Sequence, residues 1–342
     1  MGVSTRSIGE ALREIAGRSA TRDDPAALAA AVVDGTTPRW VVRPATVEGV
    51  GRVLALAHDA GLAVVPRGRG TALTVGAPPA RLDVVLDLAG LDGVLDYRPD
   101  DLTVSVQAGV TAGTLNDAVL ESRRQRLPID PVGWHHRSLG GITATNASGP
   151  LRARCGTMRD LLLGVRFVQA DGVVTWGGAQ VVKSVTGYDV PKLMVGSLGT
   201  LGVLVELTLR LHPAPEFEQT WVAGFSSPER AQRFVAGVTD SALEPNRVEL
   251  LDGAALRACG MTPAGAGVAV SVGSVDAAVR AQGSVIADLA RDAGGAAEPA
   301  PDDFWRRYDT ALAPGEREVV LHVSSPASRL ADTWTTIERS IR

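Results

Sequence analysis

The sequence predicts an α+β protein of two or three domains. Three observations carry that expectation: a strand–helix–strand unit between residues 40 and 66, strand-like runs from 82 to 213, and a fresh alternation of strands and helices from 214 onward. A length of 342 residues fits that domain count.

Residues 1–35 carry helix spacing at Ile8, Leu12 and Ile15, then DDPAALAAAVVDG, with a proline near a helix start and Gly35 near its end. WVVRP is a short strand. TVEGVGRVLALAHDAG is an amphipathic helix opened by Thr46 as N-cap and closed by Gly61, and LAVVP is a second strand. A crossover helix between two strands implies that they are parallel. LDVVLDL, GVLDYRP and LTVSVQAG are further strands, and TAGTLNDAVLESRR is a helix. The glycine-rich stretch 133–157 is expected to interrupt regular structure. LLLGVRFVQADG and VVTWGG form a hairpin around Asp171-Gly172, and LGVLVELTLRLHP is a long strand that a proline ends.

Residues 212–217 (HPAPEF) are the linker. After it come a strand (TWVAGF), a helix (SPERAQRFVAGVTD), two strands (RVELL, VAVSV) and a helix (VDAAVRAQGSVIADLARDAG). A strand (EVVLHVSS) and a last helix complete the module. The expected divisions are an N-terminal helical segment (1–35), a main domain (36–213, with subdomains about 36–95 and 96–213) and a small α+β domain (214–342).

Composition narrows the function classes. Hydrophobic residues at 45% supply a core, and a net charge of −4 argues against nucleic acid as the main partner. Cys155 and Cys259 stand far apart, with neither a disulfide framework nor metal-ligand spacing, which points to a reducing compartment. The N-terminus has no apolar run of signal-peptide type, and no stretch of about 18 apolar residues suggests a membrane span. A cytoplasmic protein is expected. Lys183 and Lys192 are the two lysines among 34 basic residues; a lysine kept against such an arginine bias marks a place where arginine would not serve.

Two small-residue segments carry the candidate chemistry. VVPRGRGTALTVGAPP (64–79) lacks the Gly-Lys-Ser/Thr ending of a P-loop, and Leu73 stands where a dinucleotide fingerprint needs its third glycine. What remains in Pro66-Arg67-Gly68-Arg69-Gly70-Thr71 is either a nest of backbone N–H groups for an anion or a plain tight turn. SLGGITATNASG (138–149) is a second run of small and hydroxyl residues. Two such segments in one β-rich domain suit an extended ligand held along its length.

The order PRGRGTAL, VQAGVTAGTLN, SLGGITATNASGPLRARCGTMRDLLLGVRFVQADG and GGAQVVKSVTGYDVPKLMVGSLGTLGVLVELTLRLHP resembles the vanillyl-alcohol-oxidase-type (PCMH-type) FAD-binding flavoproteins. Within them it is most similar to the smaller FAD-binding subunit, GlcE, of bacterial glycolate oxidase. The likeness is dense from about 40 to 213 and looser beyond. It implies a two-subdomain PCMH-type FAD-binding domain followed by a small α+β, ferredoxin-like cap, with FAD lying extended between the two subdomains.

By that resemblance Pro66, Arg67, Gly68, Arg69, Gly70, Thr71, Ala72 and Leu73 would wrap the pyrophosphate. Ser138, Leu139, Gly140, Gly141, Ala144 and Ser148 would line the ribityl and flavin side, with Pro131 nearby and Val203 meeting the adenine or ribityl part through its backbone. Backbone donors and glycine suit a dianionic pyrophosphate. Thr71 stands near where some relatives carry a flavin-bearing histidine, and the second segment has no cysteine, so non-covalent FAD is expected.

Catalytic candidates are fewer. Trp134-His135-His136 precedes SLGG; the two histidines are either a base near neutral pH or part of a polar loop. Lys183 and Thr186 either line the flavin site or, for Lys183, fasten the fold through Asp160 or Asp189. Flavin 2-hydroxy-acid dehydrogenases place an arginine before that lysine, where this chain has Val182, and a histidine–acid metal cluster in a larger cap; here the cap has one histidine, His322, and no metal site is expected.

The resemblance therefore implies an FAD-dependent oxidoreductase subunit that oxidises a small 2-hydroxy acid, glycolate or D-lactate, and passes electrons onward. A second flavin subunit and an iron–sulfur subunit would be its partners, any cluster belonging to another chain and any membrane association being peripheral. An accessory electron-relay subunit without its own substrate site, and a stand-alone alditol or sugar oxidase, are the alternatives.

Overall fold

A computed structural model describes residues 5–178, 187–313, 315, 318, 323 and 325–341. The chain divides into two units. The first comprises Met1–Ile129, Trp134–Ser148 and Thr157–Ala214; the second comprises Asp130–Gly133, Gly149–Gly156 and Pro215–Arg342.

In the first unit, β1 (Thr21–Arg22), β2 (Trp40–Val42), β3 (Val64–Arg67) and β4 (Val84–Asp87) form one sheet in the order β1-β2-β4-β3. The expected crossover is present: helix Val47–Asp59 joins β2 to β3, and both strands run parallel to β4, which lies between them. VVLD is buried throughout, the pattern of a strand covered on both faces. Thr46 caps the helix by accepting from the Gly49 amide at 3.0 Å. The helix buries Val50 and Val53 against Val84 and Leu86, roughly 1.5–3 kcal/mol per side chain. Helix Thr5–Ala16 adds Ile8 and Leu12 to the same core beside Trp40.

Farther along come β5 (Val94–Arg98), β6 (Thr103–Gln107), β7 (Gln125–Arg126), β8 (Leu162–Val168), β9 (Val174–Gly178), β10 (Val203–Arg210) and β11 (His212–Pro213). Five of them make an antiparallel sheet in the order β5-β6-β10-β8-β9, and β11 pairs with β7. Asp171 and Gly172 turn β8 into β9, with Gly172 at φ +87° and the Asp171 carboxylate accepting from the Val173 amide. Gly51 brings the crossover helix close to that turn: a Cβ there would lie 2.9 Å from the Gly172 carbonyl oxygen.

The stretch 133–157 departs from expectation. It contains helix Leu139–Thr145, capped by the Ser138 hydroxyl, and a one-turn helix, Arg152–Cys155; a second one-turn helix, Met158–Leu161, follows it. Glycine lowers helix propensity, but Leu139 and Ile142 are fully buried in the core of the antiparallel sheet, and burial outweighs propensity. Gly140 has a packing role: its Cβ would fall 2.8 Å from that of Ala108.

The second unit holds β12 (Phe217–Phe225), β13 (Arg247–Leu251), β14 (Ala266–Ser274) and β15 (Ala296–Pro299), all pairings antiparallel, in the order β13-β14-β12-β15. With helices Pro228–Asp240 and Asp276–Asp292 this is the βαββαβ order of a ferredoxin-like module. Those helices bury Phe234, Val238, Val279 and Ile286 on one face; Leu256 and Phe304, from helices Gly253–Ala258 and Phe304–Leu312, pack with Val222 and Ala269 in a separate cluster. The strand expected at 318–325 lies largely outside the described residues.

Candidate cofactor site

The two small-residue segments meet inside the first unit. A Cβ on Gly68 would fall 2.0 Å from the Ser138 hydroxyl oxygen, so glycine is required at 68 for this approach. Among the described residues, the amides of Gly68, Arg69 and Gly70 donate no hydrogen bond to a protein acceptor. Gly70 turns the loop in the left-handed region at φ +75°. Arg69 and Thr71 are exposed, while Ala72 and Leu73 are half-buried, Leu73 against the cluster of Val41 and Val85.

Arg67 is committed elsewhere. Its Nη2 donates to Asp87 Oδ2 at 3.0 Å and its Nη1 to the Ala30 carbonyl at 3.3 Å. Asp87 also receives Arg43, and the Ala89 amide donates to its other oxygen. Burial pushes the Asp87 carboxyl up, but that amide and the two guanidiniums outweigh it and hold the group below its ordinary value.

On the second segment, Ser138 accepts from the Gly141 amide at 3.3 Å, and Leu139 is fully buried. The carbonyls of Thr143 and Ala144 accept from the amides of Gly196 and Leu198, docking the loop 196–202 on this helix. Among the described residues two buried side-chain atoms there have no partner: Asn146 Oδ1 and Ser197 Oγ. A cleft of about 250 Å³ runs alongside, lined among others by His58, Pro66, Gly199, Thr200 and Val203. Val203 itself is buried and heads β10, while Ser148 ends the segment half-buried.

These features fit an extended dinucleotide. Free amides at Gly68–Gly70 are anion donors, and an unsatisfied acceptor and an unsatisfied hydroxyl on neighbouring segments suit a polar ligand. Asp87, Asn146 and Ser197 were not legible as site residues. Asp87 ends an ordinary apolar strand, and no sequence pattern announces an unsatisfied buried atom.

The remaining expected residues are dispersed. His135 and His136 are exposed on a one-turn 3₁₀ segment, Trp134–His136, with the His135 ring stacked on Trp134 at 3.7 Å. Among the described residues neither imidazole has a carboxylate partner to orient it. Burial pulls the neighbouring Arg137 guanidinium down. Lys183 and Thr186 lie outside the described residues. Lys192 is a fold fastener: its ammonium donates to the carbonyls of Arg159 and Leu162.

Pro131 falls in the second unit, next to a polar network. There Arg247 donates to Asp130 at 2.8 Å and to Glu218 at 2.5 Å, and its guanidinium lies 4.9 Å from the Trp305 ring. Burial pushes the Glu249 carboxyl up, with the Arg152 charge opposing; burial and that neighbouring carboxyl raise the Tyr308 phenol. Among the described residues no cluster of histidine, cysteine and acid side chains is arranged to hold a metal, and no helix is long and apolar enough to cross a membrane.

A family model described as an FAD binding domain matches residues 38–178. The chain is 32% identical over 349 residues to the probable mitochondrial D-lactate dehydrogenase of Danio rerio, covering 95% of this chain and 67% of that protein. It is 30% identical over 253 residues to the glycolate oxidase subunit GlcD of Bacillus subtilis, covering 72% and 54%. Among solved structures, an alkyldihydroxyacetonephosphate synthase superposes with a TM-score of 0.75 at 19% identity, covering 90% of this chain and 64% of that one. The chain thus spans about half to two thirds of the length of these proteins. The matched domain and relatives, with the free amides of the first glycine loop, place the chain in the PCMH-type family of FAD-binding oxidoreductases, with FAD as its cofactor.

Proposed function

We propose that the protein oxidises a small 2-hydroxy acid, glycolate or D-lactate, with non-covalently held FAD, and hands the electrons to a partner. The observation that carries this is the meeting of the two glycine segments at Gly68 and Ser138, together with relatives named for D-lactate and glycolate oxidation. Bound FAD supplies hydride acceptance. In this reading the amides of Gly68–Gly70 hold the pyrophosphate, and Asn146 and Ser197 complete their hydrogen bonds on the cofactor. Thr71, in place of a flavin-bearing histidine, favours non-covalent retention. His135, His136, Lys183 and Thr186 are the groups proposed to handle the hydroxyl proton and the substrate.

The finer placement with the GlcE type of glycolate oxidase subunit rests on the sequence motifs; the glycolate oxidase subunit of Bacillus subtilis that the chain resembles is GlcD. A GlcE-like role brings a second flavin subunit and an iron–sulfur subunit as partners, and a cytoplasmic complex, peripheral to the membrane if associated with it. Val182, where related dehydrogenases carry an arginine, favours a second reading: an electron-relay subunit without its own substrate site. A stand-alone alditol or sugar oxidase is a third.

The test is to purify the protein with FAD and add glycolate, D-lactate or xylitol anaerobically. Bleaching of the flavin band by either acid is expected. Bleaching by xylitol alone indicates the oxidase, and a flavin inert until a partner is added indicates the relay. Yellow colour that stays with acid-precipitated protein would overturn non-covalent binding.

A further inference from the structure

We propose that Asp87 is the positioning residue of the pyrophosphate loop, acting through Arg67. The inference rests on reading residues 66–73 as that loop. Arg67 and Asp87 are register partners at the ends of β3 and β4, where the chain leaves the sheet and the glycine turn begins. Asp87 is 2% exposed. Its Oδ2 takes Arg67 and Arg43, at 3.0 and 2.8 Å, and its Oδ1 takes the Ala89 amide at 3.0 Å.

The stem of Arg67 lies beside the turn: the position a Cβ would take on Gly70 is 3.6 Å from Arg67 Cδ and 3.7 Å from Leu73 Cδ1, so the arginine's methylenes border the space next to Gly70. Asp87 fixes the guanidinium, the guanidinium fixes the stem, and the stem sets the height of the loop. The same bonds commit Arg67's charge to a buried carboxylate and leave Arg69 as the exposed cation of the turn.

This role and a direct phosphate contact by Arg67 predict opposite effects of removing the acid. If Arg67 were the counter-charge of the cofactor, Asp87 would compete for it, and Asp87→Asn would tighten binding. If Asp87 positions the loop, the substitution loosens it on the order of tenfold.

The experiment titrates the full chain with FAD, and with ADP as a pyrophosphate-bearing probe without flavin. The variants are Asp87→Asn, Arg67→Gln, their double and Gly70→Ala, each checked for folding by circular dichroism. Asp87→Asn and Arg67→Gln should each weaken both ligands on the order of tenfold, with the double no weaker and the salt dependence unchanged. Should Asp87→Asn fail to fold, Arg67→Gln, which leaves Arg43 on Asp87, carries the test.

Unchanged or tighter binding in a folded variant, or a reduced salt dependence in Arg67→Gln, overturns the proposal. Gly70→Ala strains a left-handed residue without a clash. If it binds FAD as wild type does, the reading of the loop itself falls. If it weakens FAD while the other two do not, the positioning role alone falls.

Discussion

Gly68 and Ser138 touch across the first unit: the space a Cβ would need at 68 is taken by the serine hydroxyl, 2.0 Å away. That hydroxyl is also the cap of helix Leu139–Thr145, so one oxygen ties the first glycine loop to the second segment. Gly68→Ala should overpack the junction, costing about 1–3 kcal/mol in stability. It should also weaken FAD at least tenfold in a fluorescence titration. Adding Ser138→Gly should recover part of both losses; no recovery would mean that the contact does not set the loop.

Ser197 separates stability from binding. Its buried hydroxyl has no partner among the described residues, so Ser197→Ala should leave the cofactor-free melting temperature unchanged or slightly raised. The FAD-bound protein should instead lose about 0.5–1.5 kcal/mol of binding free energy, seen as a smaller thermal shift on adding FAD. Equal effects with and without FAD would show that the hydroxyl is not spent on the cofactor.

Asp87 should leave an acid signature. Its folded-state pKa is depressed, so its stabilisation is fully present above the ordinary carboxylate value of about 4 and disappears as pH falls through the lower folded value. Urea denaturation between neutral pH and pH 3 should show this loss in the wild type and a flatter curve in Asp87→Asn.

Glu249 predicts the reverse slope. Burial raises its pKa, so the folded state holds the proton more tightly, and stability falls as pH rises from about 4 through the folded value. Glu249→Gln removes the charge beside Tyr308. It should match the wild type near pH 4 and exceed it in melting temperature at neutral pH. A variant less stable at both would show that the carboxylate is well satisfied in place.

Arg247 pairs with two acids of the second unit. It is 13% exposed and is the cation shared by Asp130 and Glu218. Arg247→Met should destabilise by about 3 kcal/mol, because two largely buried acids lose that cation together. Chemical denaturation reads the cost directly.

The sequence alone determined the elements that depend on near neighbours. The spacing of Val50, Val53 and Leu54 and the Thr46 cap specified the crossover helix, and Asp171-Gly172 specified the hairpin. After 214 the alternation specified β12, β13, β14 and the two long helices, but not β15 (Ala296–Pro299), because AAEP has no strand pattern of its own and is ordered by pairing with the distant β12. Helix Leu139–Thr145 escaped because its glycines argue against helix locally, while the burial that forms it comes from distant strands. Glycine content left the Gly68–Gly70 amides open between an anion nest and a plain tight turn. That Arg67 turns to Asp87 and that Gly68 abuts Ser138 was settled by tertiary structure, since both depend on pairings between distant segments. Likewise, Asp130–Gly133 and Gly149–Gly156 leave the first unit for the second because Asp130 is bound by Arg247 and by the Leu151 amide. Local periodicity fixes which segments are helix or strand; the charges and hydroxyls that finish a site are placed by contacts between segments that sequence spacing does not encode.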